Sequence, residues 1–217
     1  RVIRDDGWHT HSIWDHSAHI RDLYRRRCRR EEPEMTCAAQ AAELLADRVR
    51  PGESLLDAGC GSGYFFHSLT DRGIEVDYHG VDASEALIDI GRREMPAHAL
   101  PAGRLRALRI EDLDGAVDHV LCMNVLSNAD NMHRPLERLA GMARRSLVLR
   151  ESIAERSEYR YVRDEFLDPG VDLRVHVNTY AREEVTGLLE SLGFTTRVVT
   201  DRRTGGSPES VIGYDHH

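Results

Sequence analysis

The chain has 217 residues, 41% of them hydrophobic and 30% charged, with a formal net charge of -8. That length suits one domain with a full core, and the acidic balance favours a small partner over a polyanion such as nucleic acid. No apolar stretch is long enough to cross a bilayer, and Cys28, Cys37, Cys60 and Cys122 form no C-x-x-C pair, so reduced thiols, no membrane partner and a cytoplasmic setting are expected.

In chain order, residues 12 to 30 and 34 to 49 carry helical patterns, broken near Pro33, where proline suits a first helical turn. Strand patterns follow near 53 to 57, 77 to 82, 104 to 109, 117 to 123 and 146 to 151, alternating with helical ones near 63 to 71, 84 to 94 and 134 to 143. Such alternation predicts an α/β fold with a parallel sheet covered on both faces. Residues 152 to 175 interrupt the rhythm around the turn signal Asp168-Pro169-Gly170. A helix is predicted near 182 to 192, stopped by Gly193. The runs Phe194 to Thr200 and Ser210 to Tyr214, joined through Gly205-Gly206, predict a terminal hairpin.

The chemistry concentrates at Leu55 to Leu69, LLDAGCGSGYFFHSL: an apolar run, Asp57, alternating glycines at 59, 61 and 63, then a helix start. Glycine takes positive φ freely and lets backbone approach a ligand without a Cβ in the way. In open α/β sheets a nucleotide sits at such a loop, outside the carboxyl ends of the strands. An acid about 20 residues further on then meets the ribose hydroxyls, and Asp82 stands at the end of the next apolar run. A dinucleotide fingerprint needs G-x-G-x-x-G, but Tyr64 occupies its third position here. A nicotinamide oxidoreductase is therefore disfavoured.

The D-x-G-x-G-x-G run from Asp57 to Gly63, coupled to Asp82, resembles motif I of class I S-adenosylmethionine-dependent methyltransferases. The resemblance implies a Rossmann-like, doubly wound sheet of seven strands, mostly parallel with the last antiparallel, helices on both faces and an N-terminal helical lid. One methyltransferase domain would fill 1 to 217, with the lid in 1 to 50, the cofactor-binding core in 51 to 151, and an acceptor-pocket insertion and hairpin in 152 to 217. The cofactor would be S-adenosylmethionine, with Gly59, Cys60 and Gly61 along its methionine moiety and Asp57 holding the amino group through the loop. Asp82 would take the ribose hydroxyls, Ala83 would lie against adenine, and Asp112, beside Leu113, would meet the adenine amine. Asn124, ending the fourth strand, would stand between cofactor and acceptor. Trp14 and Tyr24 would cap the pocket from the lid, with structural packing as the alternative.

Methyl transfer from a sulfonium needs chiefly a positioned nucleophile and, for some acceptors, a base. In His176-Val177-Asn178-Thr179-Tyr180 the period of two puts His176, Asn178 and Tyr180 on one face if extended. Imidazole suits proton transfer near neutral pH, so His176 is the candidate base or orienting group, against a plain local hydrogen bond. The amino-terminal cluster Trp8, His9, His11, Trp14, His16, His19 and Tyr24 has no fixed acid or cysteine partner for a metal, and none is expected. Arg25 to Arg30, with Cys28 among them, read either as an anion grip or as a solvated, salt-bridged helix end, since Glu31, Glu32 and Glu34 follow at once. The acceptor expected is a small metabolite methylated on oxygen or nitrogen, with RNA or protein as the alternative, a cofactor-binding module without catalysis as a further one, and a homodimer left open.

Overall fold

The computed structural model describes residues 12–202, together with the backbone of 209–211 and 214–216. Trp8, His9, His11 and the Gly205-Gly206 link lie outside the described residues.

Five strands form the central sheet: β1 (Ser54–Ala58), β2 (Asp77–Asp82), β3 (Leu105–Ala107), β4 (Val117–Met123) and β5 (Ala143–Arg150). Their spatial order is β3-β2-β1-β4-β5, with every pairing parallel. Helices α1 (Ala18–Cys28), α2 (Thr36–Ala46), α3 (Phe66–Thr70), α4 (Glu85–Glu94), α5 (His133–Met142) and α6 (Arg182–Ser191) complete the layers.

Side-chain alternation along the strands sorts the core into two halves. Leu55 and Leu121 enter a cluster with Ile20, Leu45, Leu87 and Ile88 from α1, α2 and α4. Their neighbours Leu56, Val120 and Cys122 enter a second cluster with Leu136, Leu139 and Val185 from α5 and α6. Both sheet faces are thus covered, which is why these strands read as continuous apolar runs. The strand order reverses between β1 and β4, and an open α/β sheet leaves a crevice at that switch point.

The family resemblance implied seven strands; the described central sheet has five. After α6 and the Gly193 stop, residues 194 to 200 form no strand. Val198 and Val199 are adjacent, so they cannot share one face, and both are exposed, at 58% and 44%. Side chains fasten this segment crosswise: Gln40 donates to the Thr200 carbonyl at 2.9 Å, and Arg150 reaches Asp201 at 2.7 Å. The expected hairpin of residues 194 to 200 with 210 to 214 does not form; Glu209–Val211 pairs instead with Tyr214–His216, apart from the central sheet.

Residues 152 to 181 add β6 (Ile153–Ala154), β7 (Tyr161–Arg163), β8 (Arg174–His176) and β9 (Tyr180–Ala181), as the pairs β6-β9 and β7-β8. The tip of this insertion is hooked to the start of α1. Asp168 accepts from the Ala18 amide at 2.7 Å and from Arg21 at 3.1 Å, while its own amide donates to the His16 carbonyl. Ile13, Val175 and Val177 bury an apolar cluster beneath the hook.

Close approach of α4 to the glycine loop depends on Gly91, where a Cβ would meet the Ser62 carbonyl oxygen at 2.3 Å. Neither backbone can yield cheaply. Gly91→Ala is expected to lose about 2 kcal/mol of stability, despite a gain of about 1 kcal/mol in helix propensity, visible as a lower urea midpoint.

Candidate cofactor and acceptor site

The loop after β1 turns through Gly59 at φ 79°, Gly61 at φ 58° and Gly63 at φ 78°, backbone that side chains rarely adopt. Side chains from elsewhere also occupy the space beside it. A Cβ on Gly59 would sit 2.1 Å from Val125, and one on Gly61 would sit 2.2 Å from the Tyr24 ring. The Gly59 and Cys60 amides both donate to the Val81 carbonyl, at 2.8 and 3.0 Å, tying the loop to the end of β2.

Asp82 completes that tie. One carboxylate oxygen accepts from the Gly61 amide at 2.8 Å and the other from the Ser84 amide at 2.8 Å. Each oxygen keeps a lone pair for a further donor. Burial pushes its pKa up to about 6 against these hydrogen bonds, and Asp15 adds to the rise. Asp57 lies beneath the loop and accepts from the Tyr78 hydroxyl at 2.6 Å. Burial pushes its pKa to about 7, the hydroxyl opposing and Asp82 reinforcing the shift.

These residues open onto a cavity of about 570 Å³, within the range of small-ligand sites. Of the residues singled out in the sequence, Trp14, Tyr24, Asp57, Gly59, Cys60, Asp82, Ala83, Asn124 and His176 line it. Gly61 borders it through the ring of Tyr24. Asp112 is exposed and Leu113 is buried in the second core cluster. The 3-10 turn Ile110–Asp112 instead brings Ile110 and Glu111 to the cavity wall.

Asn124 takes a left-handed φ of 57° at the end of β4, held by its amide to the Arg150 carbonyl at 2.7 Å and by its side-chain oxygen to the Arg150 guanidinium. The loop beyond it gathers around Glu151, whose carboxylate accepts from the amides of Val125, Leu126 and Ser127, each at 2.9 Å, and from the Ser127 hydroxyl at 2.8 Å. Burial raises the Glu151 pKa while these donors pull it down. Nothing in the motif drew attention to Glu151; an acid directly after a strand was the available signal.

Asn178 and Tyr180 brace the same loop from the other side. The Asn178 side chain donates to the Ala129 carbonyl at 2.8 Å and accepts from the Arg160 amide at 3.1 Å. The Tyr180 hydroxyl donates to the Leu126 carbonyl at 2.6 Å. Both side chains are buried and neither lines the cavity. His176 does line it, half-buried, with its ring 4.6 Å from that of Tyr161. The arginines of α1 and of the turn after it are largely engaged in ion pairs: Arg25 and Arg26 with Asp22, Arg29 with Glu94, and Arg30 with Asp71. Among the described residues no group of three or more His, Cys, Asp or Glu side chains is placed to hold a metal, and all four cysteines are free and buried.

Comparison with known proteins bears on this arrangement directly. Residues 56–146, which hold the loop, Asp82 and the switch-point strands, match the family model described as a methyltransferase domain. Residues 56–146 are therefore similar to a methyltransferase domain. Residues of the chain are 37% identical over 62 positions to a malonyl-[acyl-carrier protein] O-methyltransferase of Serratia marcescens, covering 29% of this chain and 24% of that protein. They are 31% identical over 115 positions to the chloroplastic magnesium protoporphyrin IX methyltransferase of Arabidopsis thaliana, covering 49% and 35%. The chain therefore spans about a third or less of these relatives. The fold matches magnesium protoporphyrin IX methyltransferase from Synechocystis PCC 6803 with bound S-adenosylmethionine at TM-score 0.56 and 20% identity, over 95% of this chain and 86% of that one. It also matches a sugar N-methyltransferase from Streptoalloteichus at TM-score 0.60 and 16% identity, over 85% and 88%.

Removing the hub of the post-β4 loop strands several buried donors at once. Glu151→Ala is expected to destabilise the protein by about 3 kcal/mol, measured by chemical denaturation. A loss below about 1 kcal/mol would show that the loop holds its shape without this carboxylate.

Proposed function

We propose that the protein transfers a methyl group from S-adenosylmethionine to oxygen or nitrogen of a small-molecule acceptor and releases S-adenosylhomocysteine. The observation carrying this reading is one cavity that joins the glycine loop and Asp82 to Asn124 and His176. The residues fit the cofactor: the loop presents bare backbone to the cavity at Gly59, and Asp82 is anchored with acceptor capacity to spare. In this reading Asp82 accepts from the ribose hydroxyls, Asp57 attracts the amino group through the loop, and Ala83, Ile110 and Glu111 surround the base.

When bound, the cofactor supplies a methyl group already activated by its sulfonium. What remains for the chain is to orient the acceptor, exclude water and accept a proton where the acceptor carries one. Asn124, held by Arg150, and the loop fixed by Glu151 would form the wall against which the acceptor is positioned. His176 is the group assigned to orient or deprotonate it. Trp14 and Tyr24, with α1 hooked to the insertion through Asp168, would act as a lid. The names of the relatives above, which include a carrier-bound malonyl group, a porphyrin and a sugar, support a metabolite acceptor. The ion-paired arginines of α1 weigh against an RNA-binding face, and no described helix is long and apolar enough to cross a membrane.

The direct test incubates the protein with methyl-labelled S-adenosylmethionine and fractionated metabolite extracts. Label in a small product is the expected result, and label confined to RNA or protein would reverse the acceptor assignment. The acids give a second expectation. Because ribose hydroxyls donate best to an ionised carboxylate, S-adenosylhomocysteine affinity should fall as pH drops through about 6, the Asp82 value, approaching about tenfold per pH unit below it. Calorimetry between pH 8 and 5 reads this slope, and Asp82→Asn, weaker at every pH, should lose the step near 6.

A further inference from the structure

Three arginines line the cavity of a chain whose formal net charge is -8: Arg27, Arg109 and Arg150. Arg27 lies with Tyr24 and Tyr64 beside the glycine loop, and Arg109 has Glu111 at 3.6 Å. Arg150 stands apart from both. It ends β5 opposite Met123 of β4, and its Nη1 donates to the Asn124 side-chain oxygen, which puts its charge where the proposed cofactor and acceptor meet. Its Nε donates to Asp201 at 2.7 Å, and the two side chains are 22% and 19% exposed. That carboxylate comes from the segment after α6 that forms no strand. On either side of Asp201 the Gln40 side chain bonds the Thr200 carbonyl and the Arg202 amide, at 2.9 and 3.0 Å, and Arg202 pairs with Glu43. Side-chain bonds rather than a strand ladder thus hold it, and segments held so are among the first to open.

Gln40 and Glu43 belong to α2, whose first turn brings Cys37 and Ala38 to the cavity wall. Burial raises the Cys37 pKa, while Arg150 pulls it down and Asp201 pushes it up, so the ion pair stands beside that turn. The helix starts without a side-chain cap from Met35, and its partial positive charge adds to that of Arg150. The Asp201 contact shows that a carboxylate fits this wall, and the fork of a guanidinium accepts another of the same kind at little net cost. A neutral group cannot make that exchange, because displacing Asp201 would separate two charges that are both mostly buried. We propose that Arg150 is an acceptor-binding residue that grips a carboxylate of the acceptor in exchange for Asp201, so that the substrates are small carboxylic acids. The assignment rests on the cofactor and acceptor reading above and narrows its substrate class. Met123 and Ala38 in the same wall suit an apolar body behind the acid. In this arrangement Asp201 is an internal placeholder that keeps Arg150 neutralised until an acceptor arrives.

The test measures, by calorimetry on protein saturated with S-adenosylhomocysteine, the binding of phenylacetate and of its neutral isostere phenylacetamide. Wild type should prefer the carboxylate by about tenfold or more. Asp201→Asn removes the internal competitor and should tighten phenylacetate alone by about threefold to tenfold. Arg150→Gln should erase the preference, and Arg150→Lys, which keeps the charge without the fork, should retain part of it. The Lys variant also supplies the comparison if the Gln variant does not fold. In the labelled-methyl assay, the anionic pool of an extract divided by anion exchange should yield the product. Equal changes on both probes would assign the ion pair to anchoring the segment after α6 and overturn the proposal. So would a preference that survives Arg150→Gln, phenylacetate binding that Asp201→Asn leaves unchanged, wild type that binds neither probe, or label arising only from the neutral or cationic pool. All of these leave the cofactor reading standing, whereas wild type that does not bind S-adenosylhomocysteine would sink that reading and this assignment with it.

Discussion

The site depends on Asp82 holding two backbone amides at once. With one oxygen on Gly61 and the other on Ser84, a single carboxylate joins the loop after β1 to the start of α4. The glycine loop has few side chains of its own with which to fix its shape, chiefly the Ser62 hydroxyl that donates to the Tyr24 carbonyl, and its positive-φ residues are the conformationally costliest in the chain to order. Bonds from outside must therefore hold it: Asp82 from one direction, the Val81 carbonyl from below, and the packed rings and methyls of Tyr24 and Val125 from above. Residues that leave room for a ligand are thus also those that keep the loop from collapsing into it.

A second buried carboxylate performs the same task across the crevice. Glu151 organises Val125 to Ser127, and that loop carries Val125 against Gly59. The two halves of the switch point are therefore mechanically continuous, each loop pressed against the other and each anchored by an acid at the end of a neighbouring strand. Asn178 and Tyr180 extend this bracing into the insertion, whose tip is in turn hooked to α1.

How much of this was legible in the sequence follows from how local each constraint is. The stretch from β1 to Asp82 was readable because alternating glycines, a flanking acid and apolar runs leave few other backbones available. The third strand's exit was harder. Whether Glu111 or Asp112 faces the cavity depends on the phase of one 3-10 turn, which no periodicity records. Beyond His176 the apparent alternation continues through Asn178 and Tyr180, but β8 ends at His176 and the side chains that follow turn to satisfy carbonyls of the post-β4 loop. The segment after Gly193 has strand-forming composition without an alternating face, and side-chain bonds to Gln40 and Arg150 decide its path. Arg27 shares a helical face with Tyr24, yet in a run of arginines nothing local distinguishes the one that turns inward.

Asp57 and Asp82 carry one further consequence. Both acids hold their protons to higher pH in the folded chain than an unfolded chain would, so between roughly pH 4 and 7 they subtract from stability as the medium becomes more alkaline. A guest that brings hydrogen-bond donors and positive charge to this crevice relieves that strain, and mass action converts the relief into resistance to melting and proteolysis. The vacant form is then the perishable one, and the protein's lifetime becomes a gauge of how well its pocket is supplied.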